Sequence, residues 1–300
     1  MALSVEIDGR SIVFERPEKW VWFDSKLTML DLASYYTAVS PWLLPYLEHR
    51  PVVYETYKGT INGPNSFEQD PPAATPRWVR RAQIQGHERM VTYVLADSAA
   101  TLVYLVSLFM VTLHVWESRL PAIEKPDFLL FDLDPAESCP LSRLAKTALR
   151  LKELLAEHGI ERPLIKTSGA RGLHVWVPQR PRETFATVRA STERIARELA
   201  ARYPKEISAE RNPRKRAPVS VYIDWGQMGR GMTIAPPFVP RACEGAPVSM
   251  PIVWDEVVDY ARSRSRKPPS ETFARYHVRN VPEFLRSNGD AWAGAGDPGL

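Results

Sequence analysis

The pattern of apolar and polar positions predicts alternating helices and strands in the second half of the chain. Leucines and alanines recur at helical spacing over 141–158, which predicts an amphipathic helix that ends at Gly159. A second helix is predicted for about 183–203, and helical spacing returns at 254–262. Short β-branched or apolar runs predict strands at 128–131, 164–167, 173–177, 219–223 and 232–235.

The first 120 residues mix the two periodicities in the same way. The predicted elements are a β-like opening (5–14), a helix (30–47), a strand (91–95), a buried helix (99–110) and a strand (111–116). Pro41 and Pro45 are expected to break the first helix, and the Pro-, Gly- and Asn-rich stretch 59–76 is expected to be a surface loop. Without a regular βαβ rhythm, the order of elements predicts an α+β fold with mixed or antiparallel sheets flanked by helices.

The chain is expected to form one catalytic domain over 1–287. In this domain an N-terminal part (1–120) packs against a part that carries the chemical motifs (121–287), and 288–300 is predicted to be a flexible tail. A formal charge of +4 and a pI near 9.0 are compatible with a polyanionic partner. Cys139 and Cys243 are the only cysteines, which excludes a disulfide framework and favours a cytoplasmic location. The first residues lack the basic-then-apolar pattern of a signal peptide, and the longest apolar stretch is too short to be expected to span a membrane.

Two carboxylates follow an apolar strand. Asp132 and Asp134 end the run 128–131 at a spacing of i and i+2, so strand alternation aims both side chains at the same face. Like charges placed side by side raise one carboxylate's pKa, and a hard divalent cation removes that repulsion. The pair therefore suggests a site for Mg²⁺ or Mn²⁺. The alternative is a strand end whose acids only open the next turn.

Further polar groups follow in the chain. Asp224 ends the predicted strand 219–223 and could complete a three-carboxylate, two-metal cluster; alone it would be a turn residue. Between the acids lies the segment Lys166-Thr-Ser168-Gly169-Ala-Arg171-Gly172-Leu-His174. Its glycines permit close backbone approach, and its hydroxyl, guanidinium and imidazole suit phosphate oxygens. The alternatives are an ordinary hairpin turn and a buried core histidine.

A basic loop precedes Asp224. It contains Arg211, Arg214, Lys215 and Arg216. As a solvated charge run it needs no function, but its position close to the proposed site favours contact with a phosphate backbone.

In this order and spacing the three motifs resemble those of the archaeo-eukaryotic primase superfamily, and more closely the bacterial primase-polymerases typified by the LigD polymerase domain. The resemblance runs from about Lys19 to Glu256. No ligase or nuclease segment follows, so we expect a stand-alone polymerase similar to the ligase-associated, gap-filling Prim-PolC proteins of mycobacteria. The resemblance implies a primase-type catalytic core and template-dependent nucleotidyl transfer.

The resemblance also implies residue roles. Asp132, Asp134 and Asp224 match metal ligands, and Mn²⁺ or Mg²⁺ is the implied cofactor. The implied nucleotide-binding residues are His114, Lys166, Ser168, Gly169, Arg171, Gly172, His174, Gln227 and Arg241. Implied DNA contacts come from Lys19, Lys26, Phe67 and the basic loop.

The sequence departs from the family at residues that the family uses to bind DNA. The family grips a 5′-phosphate with two lysines; Lys19 matches one, Met29 replaces the other, and Lys26 could substitute. The family's Phe-Phe-x-Lys stretch keeps only Phe67, which could stack on a base or serve as a half-buried loop anchor.

The leading hypothesis is a nucleoid-associated enzyme that fills short gaps in DNA and prefers ribonucleotides. An alternative is synthesis during non-homologous end joining with Ku and an ATP-dependent DNA ligase as partners. An inactive DNA-binding or ligase-recruiting module is an alternative of another class. A metal-dependent nuclease would also use clustered acids, but it leaves the motif 168–174 unexplained.

Overall fold

The structure is a computed structural model that describes residues 2–86, 88–265 and 267–294. The chain divides into two compact units. The first comprises the chain up to Pro121 with Thr233–Ser249 and Tyr276–Gly289, and the second comprises Ala122–Met232 and Met250–Arg275 with the described residues after Gly289. No helix among the described residues is long and apolar enough to cross a membrane.

The elements follow in chain order. Up to Pro121 they are β1 (Leu3–Ile7), β2 (Arg10–Phe14), β3 (Trp20–Trp22), β4 (Leu27–Thr28), α1 (Met29–Leu47), β5 (Pro51–Tyr57), β6 (Asn65–Glu68), β7 (Arg81–Gln85), β8 (Met90–Leu95), α2 (Ala99–Ser107) and β9 (Met110–Trp116). After Pro121 they are β10 (Phe128–Pro135), α3 (Leu141–Glu157), β11 (Leu164–Thr167), β12 (Leu173–Pro178), α4 (Phe185–Arg202), β13 (Ile207–Ser208), β14 (Val221–Asp224), β15 (Thr233–Ile234), β16 (Pro251–Ile252), α5 (Trp254–Arg262), α6 (Pro269–Phe273) and α7 (Val281–Asn288).

The first unit is built on a six-stranded sheet of order β15-β9-β5-β8-β7, with β6 paired to β5. Strand β6 lies inside the stretch 59–76, so this stretch is not entirely loop as predicted. Helix α1 runs unbroken through Pro41 and Pro45, which corrects the prediction of a broken helix. Pro41 cannot donate to the carbonyl of Thr37, and the hydroxyl of Ser40 donates to that oxygen instead at 2.9 Å.

The second unit is built on a six-stranded sheet of order β13-β14-β10-β12-β11-β16. Its strand pairs are antiparallel apart from β13 and β14, within the described residues. Helix α3 ends as predicted at Gly159, whose φ is +77°. The amides of Gly159 and Ile160 donate to the carbonyls of Ala156 and Leu155, which is a Schellman ending. Strands and helices therefore mix as an α+β fold predicts.

The predicted tail begins within an ordered segment. Asn288 ends α7, and Trp292 is buried with its indole nitrogen donating to the carbonyl of Ile165 at 2.9 Å. Its ring also lies 5.5 Å from that of Trp176. The rest of the predicted tail, 295–300, lies outside the described residues.

Candidate active site

A row of polar side chains crosses the middle of the second unit's sheet. Asp132 on β10 lies directly opposite Asp224 on β14 and opposite His174 on β12. Lys166 on β11 is in turn opposite His174. Because directly opposed residues in a sheet project from the same face, these side chains share one face. We call Asp224, Asp132, His174 and Lys166 the polar row.

Asp134 extends the polar row along β10. It lies two residues after Asp132 and therefore projects from the same face, opposite Tyr222. Burial and the negative charge of Asp224 raise the pKa of Asp134, while the guanidinium groups of Arg171 and Arg216 partly oppose this shift. The carboxylates of Asp134 and Asp224 are thus close enough to repel each other.

Protein groups orient the acids of the polar row. Asp132 is 8% exposed, and its Oδ1 lies 3.4 Å from the Nε2 of His174. The Oδ1 of Asp224 accepts hydrogen bonds from the hydroxyl of Tyr222 at 3.1 Å and from the amide of Gly226 at 2.9 Å. Sequence reasoning missed Tyr222, although its position at i−2 from Asp224 places both side chains on one face.

The segment 168–172 is the turn of the β11–β12 hairpin. The hydroxyl of Ser168 accepts hydrogen bonds from the amides of Ala170 and Gly172 at 3.2 and 3.0 Å, so Ser168 organises the turn. Gly169 has a φ of +77°, which favours glycine. A Cβ at Gly172 would lie 2.7 Å from the carbonyl oxygen of Leu133, between the two acids of β10. The glycine therefore lets the turn approach the acid-bearing strand.

A cavity of about 440 Å³ opens beside the turn. Asp134, Arg171, Arg216 and Tyr222 line it. Arg216 is stacked on Tyr222, with its guanidinium carbon 3.4 Å from the ring centroid, and it donates to the carbonyls of Glu210 and Arg211. The cavity thus combines a carboxylate with two guanidinium groups, a combination that suits a metal-bound phosphate.

The rest of the basic loop is largely solvated. Arg214 and Lys215 are exposed in a short 3₁₀ turn over Pro213–Lys215. Trp225 follows Asp224 in a second 3₁₀ turn, Trp225–Gln227, which also contains Gln227. Three guanidinium groups surround the indole ring of Trp225 at 5.3 to 5.7 Å; they belong to Arg189, Arg197 and Arg211. Sequence reasoning missed the two arginines on α4, because they are distant in the chain.

The other predicted site residues belong to the first unit. The ammonium of Lys19 donates to the carbonyl of Tyr57 at 2.7 Å, and Lys26 is exposed in the turn between β3 and β4. Phe67 is 59% exposed on β6, so it is not a half-buried anchor, and its ring lies 5.7 Å from that of His114 on β9. The amide of Arg241 donates to the carbonyl of Pro247.

The model of the LigD primase-polymerase domain family matches residues 28–292 of this chain. The chain belongs to this family. The multifunctional non-homologous end joining protein LigD of Pseudomonas aeruginosa is 29% identical over 284 residues, covering 92% of this chain and 32% of the relative. The bifunctional LigD of Bacillus subtilis is 27% identical over 245 residues, covering 81% and 39%. The chain thus spans about a third of the length of these curated relatives.

A solved structure shares the fold. The polymerase domain of Mycobacterium tuberculosis Ligase D, in complex with DNA, matches with a TM-score of 0.82 and 24% identity, covering 93% of this chain and 96% of that one. The expected LigD-type resemblance, the α+β primase-type fold and the nucleotidyltransferase class are confirmed. The matching family is that of a primase-polymerase domain, which is the family that the sequence motifs predicted.

LigD polymerase domains depend on metal ions, and the acids of the polar row are the candidate ligands for such ions in this chain. Their carboxylate oxygens are the donors that Mg²⁺ and Mn²⁺ prefer, and the raised pKa of Asp134 shows a charge conflict that a cation would relieve. Among the described residues, no three His, Cys, Asp or Glu side chains already converge into a metal site. The carboxylate oxygens of Asp132, Asp134 and Asp224 suit Mg²⁺ or Mn²⁺, but their side chains would have to rotate toward a shared ion to bind it.

Proposed function

We propose that this protein is a template-dependent polymerase that extends a 3′-hydroxyl across short gaps in duplex DNA. The observation that carries the proposal is the register of β10, which places Asp132 opposite both Asp224 and His174 and beside the turn 168–172. A nucleotidyl transfer needs clustered acids and phosphate-binding groups in one place. The polar row and the 440 Å³ cavity supply both within one unit.

In this proposal Asp132, Asp134 and Asp224 hold two Mn²⁺ or Mg²⁺ ions. Bound there, the ions would lower the pKa of the attacking 3′-hydroxyl and stabilise the charge of the departing pyrophosphate. The protein's own part is positioning. Tyr222 and the amide of Gly226 fix one oxygen of Asp224, and His174 holds Asp132.

The triphosphate would lie along the turn. Arg171 and Arg216 both line the cavity together with Asp134, where two guanidinium groups can neutralise phosphate oxygens. His174 and Ser168 would contribute from the polar row and the turn, with the backbone at Gly169 and Gly172 close by. Lys166 and Gln227 of the same unit are proposed as further nucleotide contacts. His114 and Arg241 of the first unit are proposed as nucleotide-binding residues from the sequence resemblance alone.

DNA would bind through cations and one exposed ring. Lys19 and Lys26 are the proposed 5′-phosphate ligands, and exposed Phe67 is the proposed stacking platform for a template base. The arginines around Trp225 would extend the basic loop into a surface for the phosphate backbone. A DNA substrate also favours a cytoplasmic, nucleoid-associated location.

A second candidate function is synthesis during non-homologous end joining. The relatives from Pseudomonas aeruginosa and Bacillus subtilis are both non-homologous end joining proteins, which favours this candidate. Ku and an ATP-dependent DNA ligase would then be the partners. The chemistry at the polar row would be the same, and only the DNA end brought to it would differ.

The decisive experiment is primer extension on a duplex with a short gap, comparing ribonucleotides with deoxyribonucleotides under Mn²⁺ and Mg²⁺. We expect incorporation, with ribonucleotides and Mn²⁺ favoured. An absence of incorporation under every condition, with DNA binding intact, would overturn the polymerase proposal and favour a DNA-binding or ligase-recruiting module. A parallel assay on broken ends with 3′ overhangs, with and without Ku, separates gap filling from end joining.

A further inference from the structure

A cavity of about 670 Å³ lies in the first unit, away from every residue of the polar row. Its walls come from the β1–β2 hairpin, from β5 and β6, and from the end of α2. The side chains that matter for its chemistry are Tyr54, Glu68, Glu15, Trp78, Tyr104 and Phe109. A volume in this range is typical of sites for small ligands or single peptide side chains.

Tyr54 contributes a side chain with a polar hydroxyl to the wall of this cavity. It is 2% exposed on β5, directly opposite Glu68 on β6, so both side chains project from one face. Within the described ranges 2–86, 88–265 and 267–294 its hydroxyl makes no hydrogen bond to the protein and is not fully enclosed by it, so it is open to the cavity that Tyr54 lines. Burial is the main cause that raises the pKa of Tyr54, and the negative charge of the nearby Glu68 raises it further. The phenol oxygen therefore stays protonated.

The charge of the lining is negative. Asp70 is bound by Arg89 and by the amide of Thr92. In the part of the chain that the structure describes, Glu15 and Glu68 have no ion-pair partner, and Lys58 is the single cation among the lining residues. The carboxylates of Glu15 and Glu68 would therefore attract a cation that enters between them and the rings.

Aromatic rings supply the remaining walls. Trp78 and Tyr104 meet edge to face at 5.8 Å, and the hydroxyl of Tyr104 donates to that of Thr75 or accepts from it at 3.1 Å. Two of these rings already lie next to a cation of the protein. The Nζ of Lys19 is 4.2 Å from the ring centroid of Phe109, and the guanidinium carbon of Arg10 is 5.7 Å from that of Trp78. Ring faces next to carboxylates form the usual surroundings of organic cations in proteins.

We propose that this cavity binds an organic cation with an alkylammonium or guanidinium head. Glu68 would pair with the charged head, the phenol oxygen of Tyr54 would accept one of its N–H groups, and Trp78 and Tyr104 would cover its alkyl part. A lysine or arginine side chain of a partner protein and a free polyamine share this chemistry. The proposal is independent of the polymerase activity.

Isothermal titration calorimetry of the full chain tests the proposal. The probes are arginine amide, spermidine and, as an uncharged isostere of the first, citrulline amide. Glu68→Gln and Tyr54→Phe remove the charge and the hydroxyl with little change of volume, and Glu6→Gln on β1 is the matched control outside the cavity. Thermal melting identifies a variant that fails to fold, in which case the other variant decides.

We expect arginine amide or spermidine to bind and citrulline amide to bind at least about tenfold more weakly, since a charged hydrogen-bonded pair is worth about that factor. Glu68→Gln should weaken cation binding about tenfold and Tyr54→Phe about threefold, while Glu6→Gln leaves it unchanged. Tighter binding of arginine amide would indicate a protein partner, and tighter binding of spermidine a polyamine. Equal binding of citrulline amide, or undiminished binding by Glu68→Gln, would overturn the proposal, as would no binding of either cation.

Discussion

Glu55 in the first unit and Asp132 in the second are equally buried, at 7% and 8% exposure, yet their surroundings differ. The carboxylate of Glu55 accepts hydrogen bonds from the hydroxyl of Tyr57 at 2.6 Å and from the side-chain amide of Asn65. Asp132 instead lies beside Asp224 and His174. One buried acid is surrounded by donors, while the other has a second acid as its strand neighbour.

The difference shows how a buried carboxylate reveals its role. An acid satisfied by neutral donors stabilises the fold, because removing it strands those donors. A buried acid beside other acids destabilises the fold through charge repulsion. Its position is explained if it binds a cation or takes part in phosphate binding. Burial alone does not distinguish the two acids; the charge and hydrogen-bonding capacity of the side chains around each carboxylate do.

The largest expected effect concerns the polar row. Asp132→Asn should lower the extension rate on gapped DNA by about a thousandfold or more, since a metal ligand supplies several kcal/mol of transition-state stabilisation. DNA affinity and melting temperature should change little. Glu161→Gln, an exposed acid of the same unit, is the control. Near-normal extension by Asp132→Asn would remove Asp132 from the metal-binding residues.

The reverse pattern is expected for Glu55. Glu55→Ala should lower the free energy of unfolding by about 2–3 kcal/mol, because the hydroxyl of Tyr57 and the amide of Asn65 lose their acceptor. Below its melting temperature the variant should still extend primers at close to the normal rate. Denaturant unfolding and extension kinetics measure both effects. A thousandfold rate loss with unchanged stability would place Glu55 in the same class as Asp132.

Gly172→Ala tests the close approach of the turn to β10. A methyl group 2.7 Å from the carbonyl oxygen of Leu133 has to displace backbone between the two acids. We expect a loss of about 1–3 kcal/mol in the free energy of unfolding, together with slower extension. Gly59→Ala is the control, because a Cβ there meets nothing within 4 Å. Equal melting temperatures for both variants would contradict the close approach.

The smallest expected effect concerns the proposed 5′-phosphate ligand. Burial, with a contribution from the charge of Arg16, lowers the pKa of Lys19 to about 8. Lys19 is therefore charged below that pH and neutral above it, so the preference for a 5′-phosphorylated gap should weaken a few-fold between about pH 7 and about pH 9. Fluorescence anisotropy with phosphorylated and unphosphorylated gaps measures the preference. Lys19→Arg should keep it at the higher pH, and a pH-independent preference in the natural protein would exclude Lys19.

The candidate site was partly predictable because strand alternation is local. The spacing of Asp132 and Asp134 predicted a shared face, and the composition of 168–172 predicted a turn with close backbone approach. The role of Tyr222 and the arginines around Trp225 could not be predicted, since they depend on which strands and helices become neighbours. The unbroken helix α1 was missed because a hydroxyl takes over the carbonyl that Pro41 leaves without a donor.

The sequence by itself determined the α+β class, the helix ending at Gly159, the order of the three motifs and the membership in the LigD primase-polymerase family that this order indicates. These features depend on periodicity and on residues close together in the chain. Only the tertiary structure decided that Asp132 lies between Asp224 and His174 and that Tyr54 lines a cavity with carboxylates that are unpaired among the described residues. Strand register is set by packing between residues that are far apart in the chain, 42 residues for the pair 132 with 174 and 92 for the pair 132 with 224, and no local pattern encodes it.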